Sequence, residues 1–464
     1  MRRRTFLSAS AAAAAIAGIG GCERQNAEPV PPPPAPPTPE ALELPSADDE
    51  ADSSNAVELG DFEGVATPAL GASLIEPVDA TQSQAVRSLI YTKALTQGAW
   101  PAPPLDDSLK ALISQRRYWE IGAADRPVPN WPDLLRAPDY RHLESFAQPA
   151  AEEFELTAEA LTFLAERNSF QFADRQGVRI FGLRGCALSS PDEARPFASA
   201  HALRVRTPGH LSCECVMGVW RPADNMIAVF RASTTPSASN MFKALPAAGY
   251  GASLLPTGKY RYRAGTHKAS DPKKAQTGAL LMDQDYVVLR TTDDLSFDPY
   301  QTGDVWTRGA AHNIHSTGRF RDGPDVFDSA GCQVVRGYYD INDRTRCNGP
   351  WAAFRRDAGL VDTSGSPTAE EAPGAGSFEY MLLTGQEAAL AASKEPGFLE
   401  GYFRLRPGSS GQSVLDYKQK LSALFPDIKL AAVDRFDSPT SFATLILHKD
   451  RQGEFASVVT EPLA

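Results

Sequence analysis

Residues 312–316 read His-Asn-Ile-His-Ser, and residues 329–336 read Ser-Ala-Gly-Cys-Gln-Val-Val-Arg, with a short polar loop between them. This stretch places His315 ahead of a turn of small residues that ends in Cys332. Such a turn exposes a sulfur atom and aims main-chain N–H groups at a developing oxyanion, while an imidazole lowers the thiol pKa and moves its proton. The stretch therefore predicts a site for acyl transfer through a thiol.

The length and charge of the chain bound the other possibilities. A chain of 464 residues predicts about three domains, and its hydrophobic content of 42% is ordinary. The net charge of −11 argues against a nucleic-acid partner, since such proteins normally carry a basic face. We expect no cofactor and no metal, because the pair Cys213 and Cys215 has no second Cys or His pair at zinc spacing.

The first 22 residues predict an export signal. Arginines at positions 2–4 followed by Phe6-Leu7 resemble a twin-arginine signal, and the Ala-rich apolar run at residues 9–19 is short for a bilayer span. Ile19-Gly20-Gly21-Cys22 resembles a lipobox, in which Cys22 is diacylated and becomes the N-terminus. We therefore expect an exported, lipid-anchored protein; a plain secretory signal with an incidental Cys22 is the alternative.

An exported protein folds in an oxidising compartment, so its cysteine count bears on the number of disulfides. Without Cys22, five cysteines are left, an odd number. Two disulfides and one free thiol are a natural division, with Cys332 as the free thiol. A disulfide between Cys332 and Cys347 is the alternative.

Composition divides the rest of the chain. Residues 23–62 are rich in Pro, Ala, Ser and acidic residues and predict a disordered tether. Residues 63–154 predict a mostly helical region of unknown role, with helices at 83–95 and 105–119.

Residues 155–395 predict a mainly β domain that begins with a helix at 157–166. Short strands separated by Gly, Pro, Asn and Asp are predicted at 178–183, 226–232, 260–263, 286–290 and 378–383, and a surface loop at 362–376. Residues 400–464 predict a small α-helical module, because Val414, Lys418, Leu421 and Leu424 recur at helical spacing after a Gly- and Ser-rich turn.

The histidine-to-cysteine order resembles the catalytic signature of the L,D-transpeptidase (YkuD-like) family, in which His precedes Ser/Thr-x-Gly-Cys. Residues 181–185, 218–220, 233–236, 254–260 and 349–351 also look like a bacterial and phage branch of these domains, so the resemblance covers about 200 residues. One departure is that the family carries an arginine two residues after the cysteine, whereas this chain has Val334 there.

That resemblance implies a fold and an activity. The fold class would be multidomain, with a mainly β L,D-transpeptidase-like catalytic domain. Cys332 would attack a peptidoglycan stem peptide and form a thioester, His315 would activate the thiol, and Ser316 would orient the imidazole. Ser329, Ala330 and Gly331 would form the turn that supplies oxyanion donors.

Three further residues are candidates for contacting the substrate. His267 follows a predicted strand and could reach the same cleft, while His312 lies close to the thiol along the chain. Arg336 is the nearest arginine to the departure at Val334. For His312 the alternative is a scaffold residue.

The C-terminal segment resembles a peptidoglycan-binding domain through residues 405–414, Leu421, residues 433–436 and Thr440. The family's Asp-Gly-x-Phe-Gly is replaced here by Asp-Arg-Phe-Asp at residues 434–437, so both glycines are missing. The resemblances predict a lipid-anchored cell-wall enzyme, an L,D-transpeptidase or L,D-carboxypeptidase with peptidoglycan as its partner. The alternative is a peptidoglycan-binding lipoprotein without catalytic activity.

Overall fold

The computed structural model describes residues 139–146, 152–173, 177–241, 252–271, 275–290, 297, 305–309, 311–318, 327–340, 346–371, 376–426, 430–452 and 456–460. These residues all belong to one compact unit, Leu44–Ala464. The predicted export signal with Cys22, the tether and the helices at 83–95 and 105–119 lie outside them.

Most of the regular structure is β. The strands are β1 Glu153–Thr157, β2 Arg179–Arg184, β3 Cys186–Leu188, β4 Ala194–Ala198, β5 Ala200–Val205, β6 Cys215–Arg221, β7 Met226–Ser233, β8 Ser253–Leu254, β9 Gly258–His267, β10 Gln276–Met282, β11 Val287–Arg290, β12 Val305–Arg308, β13 Ile314–Ser316, β14 Gln333–Val335, β15 Tyr338–Tyr339, β16 Cys347–Asn348 and β17 Ser377–Thr384. The α-helices are α1 Ala158–Arg167, α2 Pro350–Asp357, α3 Gly385–Ser393, α4 Pro396–Gly401, α5 Gln412–Leu424 and α6 Ser438–Gln452. Short 3-10 helices occupy Arg141–Leu143 and Ala369–Glu371.

Eight strands form a barrel-like sheet, here called the closed sheet, in the order β14-β13-β10-β9-β17-β2-β6-β7. The pairing of β14 with β7 closes it, and β4 pairs with β7 beside β14. Smaller sheets are β1-β5-β3, β12-β11-β8 and β15-β16. The prediction of a mainly β protein with a few helices is confirmed at this level.

The pleat of the strands separates an inside from an outside, because successive side chains point to opposite faces. One cluster of buried residues takes members from all eight strands of the closed sheet, among them Ile180, Tyr262, Ile314 and Val335, so it fills the inside. The neighbouring side chains on β2, β6, β7 and β17 pack outward against α1, α3 and α4. The closed sheet is thus buried on both faces over that half.

The C-terminal helices pack on a different part of the molecule. Val414, Tyr417 and Leu421 of α5 share a cluster with Leu254 of β8 and Leu289 of β11. The chain leading into α5 is tied down as well: Lys259 N–H donates to the Pro407 carbonyl at 2.8 Å, and Ser410 N–H donates to the Ser169 carbonyl at 2.8 Å. Residues 405–459 therefore share a core with the β-sheets.

The predicted elements in the described part of the chain agree with the structure to within a few residues at most ends. The helix predicted at 157–166 is α1, which begins after Thr157 because its hydroxyl accepts a hydrogen bond from Ala160 N–H. The strand predicted at 260–263 is much longer, since β9 runs from Gly258 to His267. No helix in the described ranges is long and apolar enough to cross a membrane.

Candidate active site

The predicted base lies on β13, and the predicted nucleophile comes directly before β14, the parallel strand beside it. β13 and β14 pair so that His315 lies opposite Val334. Ile314 and Val335 point into the closed sheet, so alternation turns His315 and Val334 outward, and Cys332 packs with Val334 in a small outer cluster. The structure therefore brings His315 and Cys332 to the same outer face.

His267 reaches that face from the end of β9. Its imidazole stacks on that of His315, with 4.3 Å between the centroids and 12° between the planes. A nitrogen of each histidine and the Cys332 sulfur all lie within 4.8 Å of one another. Three residues that are far apart in sequence thus form one cluster.

The turn at Ser329–Cys332 is held through its carbonyl groups. The Ser329 and Ala330 carbonyls accept hydrogen bonds from the N–H groups of Ser237 and Ser253, at 2.7 and 2.9 Å. Within the turn, Gln333 Nε2 donates to the Gly331 carbonyl at 3.1 Å and Ser329 Oγ donates to the Cys332 carbonyl at 2.7 Å. In a trans peptide the N–H group points away from its carbonyl, so anchoring the carbonyls orients the amides.

The main-chain N–H groups of the turn differ in whether they can donate to an oxyanion. Gly331 N–H donates to Ser329 Oγ at 3.1 Å, so it is committed within the turn. Ser329 therefore acts as a brace of the turn through its hydroxyl, and Ala330 forms its exposed tip. The Cys332 N–H, next to the sulfur, is the natural donor to an oxyanion.

Gly331 has the backbone conformation that only glycine adopts readily, with φ at +154°. A Cβ at this position would lie 2.6 Å from His312 Nε2 and 2.6 Å from the Ser253 carbonyl oxygen. The turn can therefore pack against His312 only because residue 331 has no side chain.

The surroundings of Cys332 favour the neutral thiol. Its sulfur donates to the Ala311 carbonyl at 3.3 Å, and burial raises its pKa to about 11, with the Asn313 main chain and the Lys268 ammonium acting in the opposite direction. A neutral thiol needs a base when it attacks.

His315 is oriented to be that base. Its Nδ1 lies 2.8 Å from the Ser316 carbonyl, which can only accept, so Nδ1 carries the hydrogen and Nε2 has the basic lone pair. Ser316 thus acts through its main chain. Its hydroxyl lies within hydrogen-bond distance of Gln276 Oε1 and the Gly318 carbonyl.

His312 and Arg336 are placed differently from His267. The Tyr286 hydroxyl accepts from the His312 main-chain N–H at 2.9 Å and lies 2.7 Å from His312 Nδ1. These contacts hold the His312 ring against the turn. Arg336 forms an ion pair with Glu193 at 2.8 Å. It follows Cys332 by four positions of extended chain, roughly 13 Å away, which argues against a direct role at the thiol.

Two positioning residues were not predicted. Asn313 holds His267, with 3.1 Å between its Nδ2 and His267 Nδ1, and Gln333 holds the turn through the Gly331 carbonyl. Asn313 lies inside the stretch that predicted the site, but its partner is on another strand.

Two residues next to the site histidines have a strained backbone: Ala311 and Lys268 have φ of 52° and 53°.

The expectation of two disulfides is wrong for the described cysteines, all five of which are free thiols. Their sulfurs have other partners: Cys215 accepts from Thr234 Oγ1 at 3.2 Å, and Cys347 accepts from Arg355 Nη1 at 2.7 Å. The alternative pairing of Cys332 with Cys347 is absent as well.

His267, His315 and Cys332 are also a set that could hold a metal ion, which the sequence did not predict. His315 suits coordination, since its Nδ1–H already binds a carbonyl. His267 does not suit it: Asn313 Nδ2 donates to its Nδ1, so that nitrogen is already committed and the hydrogen is on Nε2. The hydrogen bonds thus favour acid–base chemistry.

Comparisons of the chain with protein-family models, with characterised proteins and with solved structures gave no match.

Proposed function

We propose that this protein is a cysteine acyltransferase of the cell wall, an L,D-transpeptidase or L,D-carboxypeptidase acting on peptidoglycan stem peptides. The observation that carries the proposal is the tautomer of His315. With its Nδ1 hydrogen given to the Ser316 carbonyl, His315 presents a basic Nε2 on the same outer face as the Cys332 thiol. The substrate class comes from the sequence resemblance.

The first half-reaction follows from these positions. His315 Nε2 takes the thiol proton as the Cys332 sulfur attacks the carbonyl carbon of an L-to-D peptide bond. The oxyanion that forms accepts from the Cys332 N–H. When the C–N bond breaks, His315 returns the proton to the leaving amine, and a thioester remains on Cys332.

The second half-reaction decides between the two activities. An incoming amine would give a new cross-link, while water would release the shortened stem peptide. In either case His315 takes a proton from the attacking group and returns it to the sulfur as the thioester breaks.

The predicted lipid anchor at Cys22 and the tether would hold this site at a membrane facing the cell wall. The α5 and α6 segment would serve as a peptidoglycan-binding domain. Its Lys418 ammonium is buried and donates to the Val433 and Arg435 carbonyls and to Asp437, so this face of α5 is committed to packing. Any wall contact would therefore use the opposite face of that segment.

Incubation of the full chain with a carbapenem, followed by intact-mass spectrometry, tests the proposal. We expect one covalent adduct that is lost in Cys332→Ala and retained in Cys347→Ala, a matched variant at another half-buried cysteine. A folded wild-type protein that forms no adduct would overturn the proposal.

Purified tetrapeptide muropeptides then separate the two activities. Released D-Ala alone indicates a carboxypeptidase, and cross-linked dimers indicate a transpeptidase. If neither product forms but the protein sediments with purified peptidoglycan, the alternative of a non-catalytic wall-binding lipoprotein replaces the enzyme.

A further inference from the structure

The two stacked histidines beside Cys332 have opposite tautomers, and Asn313 is the reason. Asn313 Oδ1 accepts the Met282 N–H at 3.1 Å, which fixes the orientation of the amide group. Its NH2 group therefore faces His267 Nδ1, 3.1 Å away. Because an amide NH2 only donates, His267 Nδ1 must accept, and the hydrogen of this imidazole is on Nε2.

The contact with Asn313 also disfavours a second hydrogen on His267. Adding a proton at Nδ1 would place two donors against each other at the Asn313 contact. It would also put a second positive charge 4.3 Å from the imidazole of His315 once that residue has taken the thiol proton. His315 can therefore gain and lose a proton during the reaction, while His267 remains a neutral N–H donor.

We propose that His267 is a second catalytic residue, whose Nε2–H donates a hydrogen bond to the Cys332 sulfur when the thiol proton has moved to His315. This inference rests on the proposed function. The sequence placed His267 only among candidates for contacting the substrate. Its tautomer, and the ring nitrogen that lies within 4.8 Å of the Cys332 sulfur, give it a role on the reacting atom.

A hydrogen bond from His267 would stabilise the Cys332 sulfur anion, which burial otherwise disfavours. A half-buried sulfur anion is poorly solvated, and a preorganised donor supplies the stabilisation that water would otherwise give. His315 becomes a cation during the step, but it gives up its proton to the leaving amine. His267 keeps its hydrogen throughout, so its contact with the sulfur persists until the thioester forms.

Two substitutions separate the donor from the bulk of the side chain. His267→Phe keeps a flat ring that can stack on His315 but has no N–H. His267→Gln keeps an N–H donor at nearly the position of Nε2. We expect carbapenem acylation of Cys332 to slow by about 100-fold in His267→Phe, and His267→Gln to recover to within about tenfold of wild type.

Nitrogen-15 NMR of histidine-labelled wild-type protein tests the tautomer without any variant. We expect His267 as the Nε2–H form and His315 as the Nδ1–H form. A His267 that carries its hydrogen on Nδ1 would overturn the inference, as would a folded His267→Phe variant acylated within about threefold of the wild-type rate. If the wild type itself is not acylated, the proposed function fails instead, so the two failures are distinguishable.

Discussion

Arg406 and Glu387 form an ion pair from which water is excluded, with 2.6 Å between Arg406 Nη2 and Glu387 Oε1. Glu387 also receives the Thr384 N–H at the start of α3, and Arg406 donates to Thr257 Oγ1 at 2.8 Å, next to β9. The pair thus joins the segment before α5 to a helix and to the closed sheet.

Breaking this pair should be costly. Glu387→Gln leaves the Arg406 guanidinium buried without its charge partner, and we expect the free energy of unfolding to fall by about 3–5 kcal/mol. Chemical denaturation measures this loss in the free energy of unfolding. The matched control is Glu153→Gln, which removes an exposed pair with Arg204 and should cost about 0–1 kcal/mol. Equal costs for the two variants would contradict the assignment.

The same carboxylate predicts how stability changes with acid. Burial alone would raise the pKa of Glu387, but Arg406, His142 and its hydrogen bonds outweigh burial and lower this pKa to about 2. Because the pKa is lower in the folded state than in the unfolded chain, its contribution is complete above about pH 4.5 and lost as the pH falls towards 2. Urea unfolding between pH 6 and pH 2, compared with Glu387→Gln, measures it. The stability gap between the two proteins should narrow towards acid, and a constant gap would refute the prediction.

Two leucines in α5 test whether the C-terminal helices share the core of the β-sheets. Leu421 is fully buried, whereas Leu424 is 46% exposed. We expect Leu421→Ala to cost about 2–5 kcal/mol and Leu424→Ala less than about 0.5 kcal/mol, as measured by thermal unfolding. A separate, lower-temperature transition in Leu421→Ala would show that α5 unfolds independently of the sheets.

A substitution at Gly331 tests the packing of the turn at residues 329–332. Gly331→Ala should destabilise the fold by about 1–3 kcal/mol because the new methyl group meets His312 and the Ser253 carbonyl. Gly359→Ala is the control, since Gly359 also has a positive φ, +78°, but nothing within 4 Å of an added Cβ. Calorimetry compares their stabilities, and only Gly331→Ala should also slow carbapenem acylation.

The state of the thiol can be followed by alkylation in a Cys347→Ala background. Since burial raises the pKa of Cys332 to about 11, iodoacetamide labelling should accelerate about tenfold per pH unit from pH 7 to pH 9.5. The charged and titratable groups around the sulfur are His267, His315, Lys268 and Asp328. A rate that levels off below pH 8 would mean that the resting site holds a thiolate and imidazolium pair.

Sequence patterns predicted the parts of the fold that depend on local alternation. The strand predicted at 178–183 is β2, with bounds that differ by one residue. It could be predicted because its apolar side chains alternate between two buried faces. β13 and β14 escaped prediction, since each has three residues and is defined by its partners. The helical spacing of residues 414–424 identified α5, but not the sheet it packs against.

The candidate site shows the same division. The stretch at 312–336 predicted Cys332 and His315 from their residue types, and the structure brings the two side chains together. Its hydrogen bonds could not be predicted in this way: Ser316 holds the imidazole through its main-chain carbonyl, and Asn313 depends on contacts with β9 and β10. The cysteine count predicted disulfides because the thiol partners, such as Thr234 and Arg355, are remote in sequence.

Closure of the sheet by β14 has a consequence for how the protein acquires its chemistry. Val334 pairs with Ser233, roughly 100 residues away along the chain, and pairing over such a separation carries a large loop-closure cost during folding. The thiol is attached to the strand that makes this distant contact. The position of the thiol therefore depends on contacts between segments that lie far apart along the chain.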